Sequence, residues 1–199
     1  NENITIQLNN EITIKNLKIA NLQITGPSEL DNDESAFFPV SVSDSSGISM
    51  TATVTFDSIY QWQGLLKTVE GGIEFTPDPN FIGIVNIIAR AEDQFSGNKV
   101  SGYIDVKVFE LITPDDAGSS LNPGNGFTLS LPQGMLKSGV GSAKIELEAT
   151  ERVPSLQASS STSILASAIL TVNSNKDTSD FNFLPGLSFE LDTDKTLNN

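Results

Sequence analysis

Apolar and polar residues alternate with a period of two over most of this chain, and that pattern restricts the possible folds more than any other feature. Ile4, Ile6 and Leu8 alternate with Thr5 and Gln7; Met50, Ala52, Val54 and Phe56 with Thr51, Thr53 and Thr55; Gly102, Ile104, Val106 and Val108 with Tyr103, Asp105 and Lys107. Successive side chains of a strand point to opposite faces, so each run reads as a strand with one face buried. Further strand signals fall at 11–15, 18–25, 37–43, 72–75 and 84–91, separated by turn-forming residues at the spacing of a β-sandwich. The alternation resumes in Phe127, Leu129 and Leu131, in Ile145, Leu147 and Ala149, in Ala166, Ala168, Leu170 and Val172, and in Leu187, Phe189 and Leu191. The expected class is all-β.

One segment departs from the rule. Across 58–69, Ile59, Trp62, Leu65, Leu66 and Val69 fall on one helical face, Ser58 and Gln61 have the spacing of a capping box, and Gly71 and Gly72 can end a helix. A short helix closing one end of the first sandwich is predicted, with Trp62 plugging the core. After Glu110 the composition changes: 111–126 holds two prolines beside the adjacent acids Asp115 and Asp116, which reads as linker chemistry. With 199 residues the chain can hold two domains of about 100, each near the size at which a core sustains itself. The predicted division is a sandwich over 1–110, a linker over 111–126, and a second β-rich domain over 127–199. The second domain carries an exposed Ser-rich loop, and its few visible strands call for completion by further residues or by a neighbouring chain.

Composition removes whole classes of function. There is no Cys and no His, which excludes thiolate chemistry, the usual structural zinc sites and any mechanism built on imidazole. The only remaining catalytic scheme would use paired carboxylates across a cleft, and no pair stands out; no enzyme is expected. Eleven Lys and Arg against 25 Asp and Glu give a net charge of −14, which repels nucleic acid and attracts cations. No apolar run approaches the roughly 20 residues needed to cross a bilayer, so neither nucleic acid binding nor membrane insertion is expected. The chain opens at Asn1 without a signal-like stretch and reads as a processed piece of something longer.

The order of elements over residues 3–109 resembles the cadherin-like tandem repeats of giant cell-surface proteins and adhesins. The resemblance rests on Gly72, Phe75, Thr76, Pro77, Asn80, Phe81 and Gly83, which match a G-x-x-[FY]-T-P-x-x-N-F-x-G hairpin, and on Asp93 closing the next strand. The entry half, GPSELDNDESAFFP, departs from the acidic form usual in those repeats. The second domain is faintly similar to the β-rich extracellular domain of adhesion receptors and polycystins, without its autocleavage tripeptide. The resemblance implies two tandem Ig/cadherin-like β-sandwich domains, the first with one short helix, and calcium at the junction between repeats.

Hard cations take several oxygen ligands, and the acids on offer are Asp31, Asp33, Glu34, Asp44, Asp57, Asp78, Glu92, Asp93, Asp115, Asp116, Asp192 and Asp194. The expected junctional calcium ligands are Asp115 and Asp116 with Asp93 or Asp44 from an abutting loop. Asp78, framed by Pro77 and Pro79, reads as a turn residue. Asn3-Ile4-Thr5 is a glycosylation triplet, informative only for a eukaryotic source. The expected role is a non-enzymatic structural or adhesive segment of a large extracellular cell-surface protein or filament. Its partners would be neighbouring modules of the same parent chain, other surface proteins or further copies. The alternative is a carbohydrate-binding module of a larger secreted enzyme, using Trp62, Tyr60 or Tyr103 as a stacking platform.

Overall fold

The computed structural model describes residues 18–93, 96–124, 127–150, 169–182 and 188–191. The first half contains β1 (Asn21–Ile24), β2 (Glu29–Asp31), β3 (Ala36–Ser43), β4 (Thr53–Phe56), β5 (Gly64–Val69), β6 (Gly72–Pro77), β7 (Gly83–Glu92) and β8 (Lys99–Ile112). It is followed by β9 (Ser119–Gly124), β10 (Phe127–Leu131), β11 (Ala143–Thr150), β12 (Ile169–Ser174) and β13 (Ser188–Leu191). Among the described residues the only helical turn is a 3-10 turn at Thr178–Asp180. The all-β expectation therefore holds. Asn3, the alternating runs at 4–8 and 11–15, the Ser-rich loop, Asp192 and Asp194 lie outside the described residues.

Three sheets organise the chain. One has the order β1-β3-β6-β5, a second β12-β11-β8-β7-β4 with β2 added to β8, and a third β13-β10-β9. The alternation in sequence becomes alternation in burial: Val85, Ile87 and Ala89 of β7 are fully buried, while Ile84 is 61% exposed. Phe38, Ile73 and Phe75 of the first sheet meet Val85, Ile87, Val106 and Val108 of the second in one core. A second core joins Ile112, Ala143, Ile145 and Leu147 to Leu121, Leu129 and Leu131 of the third sheet. Ile82, from the turn before β7, is buried in that second core, so the first half reaches into the other.

The helix predicted over 58–69 does not form. Gln63 donates its N–H to the Tyr60 carbonyl at 2.9 Å, closing a turn, and Gly64–Val69 then pairs antiparallel with β6, with Val69 opposite Gly72. Gly71 sits at φ 79° between them, which suits a tight hairpin as well as it suits a helix end. The apolar set divides accordingly: Leu66 packs on the core while Leu65 is 64% exposed. A six-residue ladder to β6 outweighs a helical pattern too short to sustain itself.

The stretch 111–126 also departs from its linker reading. Leu111 and Ile112 complete β8, and Ser119–Gly124 forms β9 against β10, with Leu121 1% exposed. Prolines and glycines gave the segment loop composition, but the buried Leu121 and a ready partner strand make it part of a sheet.

Candidate functional site at the seam

The long strand β8 changes partners in its last third, and charged side chains gather around that point. On one edge β8 pairs with β7 from Lys99 to Val108. On the opposite edge β2 runs parallel to Lys107–Phe109, while on the first edge β11 takes over from β7, running antiparallel to Glu110–Ile112. The seam between the two halves lies where β7 and β2 end and β11 begins.

On the inner side, Asn32 is 4% exposed and its side-chain amide donates to the Pro79 carbonyl at 2.8 Å and to Glu110 Oε2 at 2.6 Å. Its backbone N–H donates to the Phe109 carbonyl at 2.9 Å. One amide thus ties the β2 turn, the turn before β7 and the end of β8 together. Burial pushes the Glu110 carboxyl above its ordinary range; Asn32 and then Ser119 pull it back, while Asp116 and Asp33 add to the rise. Burial, and then the charge of Asp33, push Asp31 up to about 6. Below Glu110 lies a cavity of about 240 Å³ walled by Ile112, Leu131, Pro132 and Met135 on its apolar side and by Thr113, Asp116 and Ser119 on its polar side. Ser119 Oγ is sealed from solvent beside the Glu110 carboxyl.

This arrangement has a pH consequence. A carboxyl whose folded pKa exceeds its unfolded value binds more protons when folded, so stability falls as pH rises through that interval. For Asp31 the destabilisation is absent below roughly pH 4 and complete above about 6. Discounted for solvent screening, it is on the order of 1 kcal/mol. Asp31→Asn should therefore unfold at a higher temperature than the parent at pH 7.5, with the difference shrinking toward zero by pH 4. Calorimetry across that range that found the variant weaker at every pH would contradict the assignment.

On the outer side, Lys107 Nζ lies 2.6 Å from Glu146 Oε2, Lys144 Nζ lies 2.7 Å from Glu29 Oε2, and Lys144 also pairs with Glu146. Lys144 Nζ stands 4.3 Å from the Phe109 ring centroid. Burial works to raise the Glu146 carboxyl, and the two lysines outweigh it, holding it below the usual range.

An aromatic cluster closes the same seam. Tyr60 stacks on Trp62 at 5.4 Å, and Trp62 meets Phe81 at 5.5 Å. The backbone of Gly124 lies so close that a Cβ there would stand 2.5 Å from the Trp62 ring. Trp62 is half-buried and packed on the first core. Tyr60 and Tyr103 are 68% and 69% exposed. An open groove of about 610 Å³ over β4, β7 and β8, lined by Thr53, Thr55, Arg90, Glu92 and Ser101 among others, has no aromatic ring in its wall.

The acids expected at a junctional calcium ion, Asp115 and Asp116 with Asp93 or Asp44, are not brought together. Asp44 accepts from the N–H groups of Ser46 and Ile48, each at 2.8 Å, and Asp93 accepts from Ser96 Oγ at 2.8 Å. Asp116 accepts from Thr113 through both its hydroxyl and its N–H, and Asp115 is exposed. Asp93 precedes β8 and Asp115 and Asp116 follow it, so the 14 residues of that strand, about 46 Å at roughly 3.3 Å each, separate them. Asp44 lies at the Asp93 end, where Asn21 donates to its carbonyl and Asn98 donates to the Ile19 carbonyl. Among the described residues no group of three or more acids is arranged to hold a metal ion.

Asp78 is a turn residue: its carboxylate accepts from the Asn80 N–H at 2.9 Å, and its carbonyl from the Phe81 N–H. The seam residues that sequence reasoning missed are Asn32, Glu110, Lys107, Lys144, Glu29 and Glu146. Only the run Asp31-Asn32-Asp33 offered a local signal, as a cluster of turn-forming acids and amides. Comparison with protein-family models, with curated proteins and with solved structures finds no match to this chain.

Proposed function

We propose that this chain is a non-enzymatic, stiff spacer or assembly segment of a large extracellular surface protein, built from two sandwich units of Ig or cadherin type. The reading rests chiefly on β8, a single 14-residue strand that pairs first with β7 and then with β11 and so runs from one half into the other. Strand order supports the type of the first unit. With β1, β3, β6 and β5 as A, B, E and D, and β4, β7 and β8 as C, F and G, the order is that of the constant-type immunoglobulin arrangement. The β2 segment, parallel to β8, supplements the first strand on the second sheet.

Backbone ladders make such units stiff, and the seam contacts oppose bending between them. Neighbouring modules of a parent chain, other surface proteins or further copies are the partners this role calls for. A sugar-binding role has less support, because Trp62 is packed into the seam and the open groove carries no aromatic platform.

Stretching single molecules from their two ends tests the reading. One rupture for both halves is expected, and two independent ruptures would remove the stiff-segment role. The calcium expectation is tested apart from the spacer, since Asp44 and Asp93 lie at the far end of β8 from Asp115 and Asp116 and no three acids among the described residues are placed to hold an ion. A ligand that binds only the folded chain raises its unfolding midpoint. A rise in millimolar calcium would restore that expectation; an unchanged midpoint would remove the cation and leave the spacer.

A further inference from the structure

The four charges on the outer face of the seam alternate at the corners of a square that three ion pairs join. Glu29 pairs with Lys144, Lys144 with Glu146, and Glu146 with Lys107, while Lys107 stands opposite Glu29 in the β2/β8 register. Exposed ion pairs contribute little because solvent screens them. Here the Lys144 and Glu146 side chains are only 17% and 15% exposed, and Phe109 backs Lys144.

The placement of the square gives it a role. On the two edges of β8, β7 ends its pairing at Val108 and β2 at Phe109, and β11 begins at Glu110. No partner strand of β8 therefore runs through from one half to the other, and a break in a ladder is a place where a sheet can bend. Lys144 and Glu146 belong to β11, Glu29 to β2 and Lys107 to β8, so the ion pairs span that break.

We propose that the Glu29, Lys107, Lys144 and Glu146 square is a lock on the angle between the two halves, and that opening it frees bending at Phe109 and Glu110 while each half stays folded. The proposal rests on the stiff-segment reading and adds to it the device that holds the stiffness. It follows that charge substitution at the square alters shape before it alters stability.

The absence of cysteine allows paired spin labels at chosen sites. Labels on Ser41→Cys and Ser138→Cys report the distance between the halves; labels on Ser41→Cys and Ser101→Cys report within the first. In Glu146→Gln the between-half distance distribution should broaden by about twofold or more, as expected when a hinge is released, with the within-half distribution unchanged. Lys107→Met, which keeps the apolar stem and removes only the charge, should act in the same direction. Asp57→Asn breaks the Arg90 pair away from the seam and should leave both distributions unchanged. An unchanged between-half distribution in folded Glu146→Gln and Lys107→Met overturns the lock. Equal broadening of both distributions also overturns it, since it would mean general loosening. A parent chain already as broad as the variants overturns the stiff-segment reading as well.

Discussion

Asn32→Ala will lower the unfolding midpoint by about 5–12 °C, the shift that roughly 2–4 kcal/mol makes in a chain of this size. The side-chain amide of Asn32 serves two acceptors at once, the Pro79 carbonyl and the Glu110 carboxylate. Removing it strands both in a place with little water, and each buried acceptor left unmade costs about 1–3 kcal/mol. Three chain segments lose their common tie together, so the loss should appear in a single cooperative transition. Asn32→Asp adds a negative charge beside Asp31, Asp33 and Glu110 and should be weaker still at neutral pH. It should regain much of the deficit at pH 5, where a carboxyl with a raised pKa takes up its proton. Calorimetry showing Asn32→Ala within half a degree of the parent would mean that the seam is not held by this amide.

Gly124→Ala is expected to cost about 2–4 kcal/mol, through two additive causes. Gly124 lies at φ 92°, a conformation L residues rarely adopt. Its new methyl would also press on the Trp62 ring, which Tyr60 stacks upon and Phe81 flanks. The two causes separate in a double-mutant cycle. In a Trp62→Ala background the steric part disappears and only the backbone strain remains, so the cost of Gly124→Ala should fall by about half. Equal costs in both backgrounds would show that the ring and β9 do not press on each other.

Much of the architecture was legible because alternation is a local property. The runs at 84–91 and 102–108 became β7 and the middle of β8 with the expected residues buried, since a strand assigns its faces by counting in twos. Asp78 was legible for a similar reason: its carboxylate and carbonyl accept from N–H groups only two and three residues along the chain, though its own N–H reaches the Gln63 carbonyl. Where two local signals competed, the wrong one was chosen. Ile59, Trp62, Leu65, Leu66 and Val69 suit a helical face, yet β6 lies next in sequence and offers a complete ladder. Gly71 serves a hairpin turn as readily as a helix end. For 119–124, loop composition hid a strand whose only apolar anchor is Leu121.

The seam was not legible because its partners are distant in sequence. Asn32 meets Pro79 across 47 residues and Glu110 across 78, and Lys144 meets Glu29 across 115. No window of ten or twenty residues contains such a pair. The expected calcium ligands lie apart for the complementary reason: Asp44, Asp93 and Asp116 each bond to groups within four residues, while β8 holds Asp93 far from Asp116. The sequence by itself determined that this chain makes strands, which of their faces turn inward, and which chemistries it lacks. Only the tertiary structure decided where β8 passes from one half to the other and which charges meet there, because those contacts exist only once the sheets have assembled.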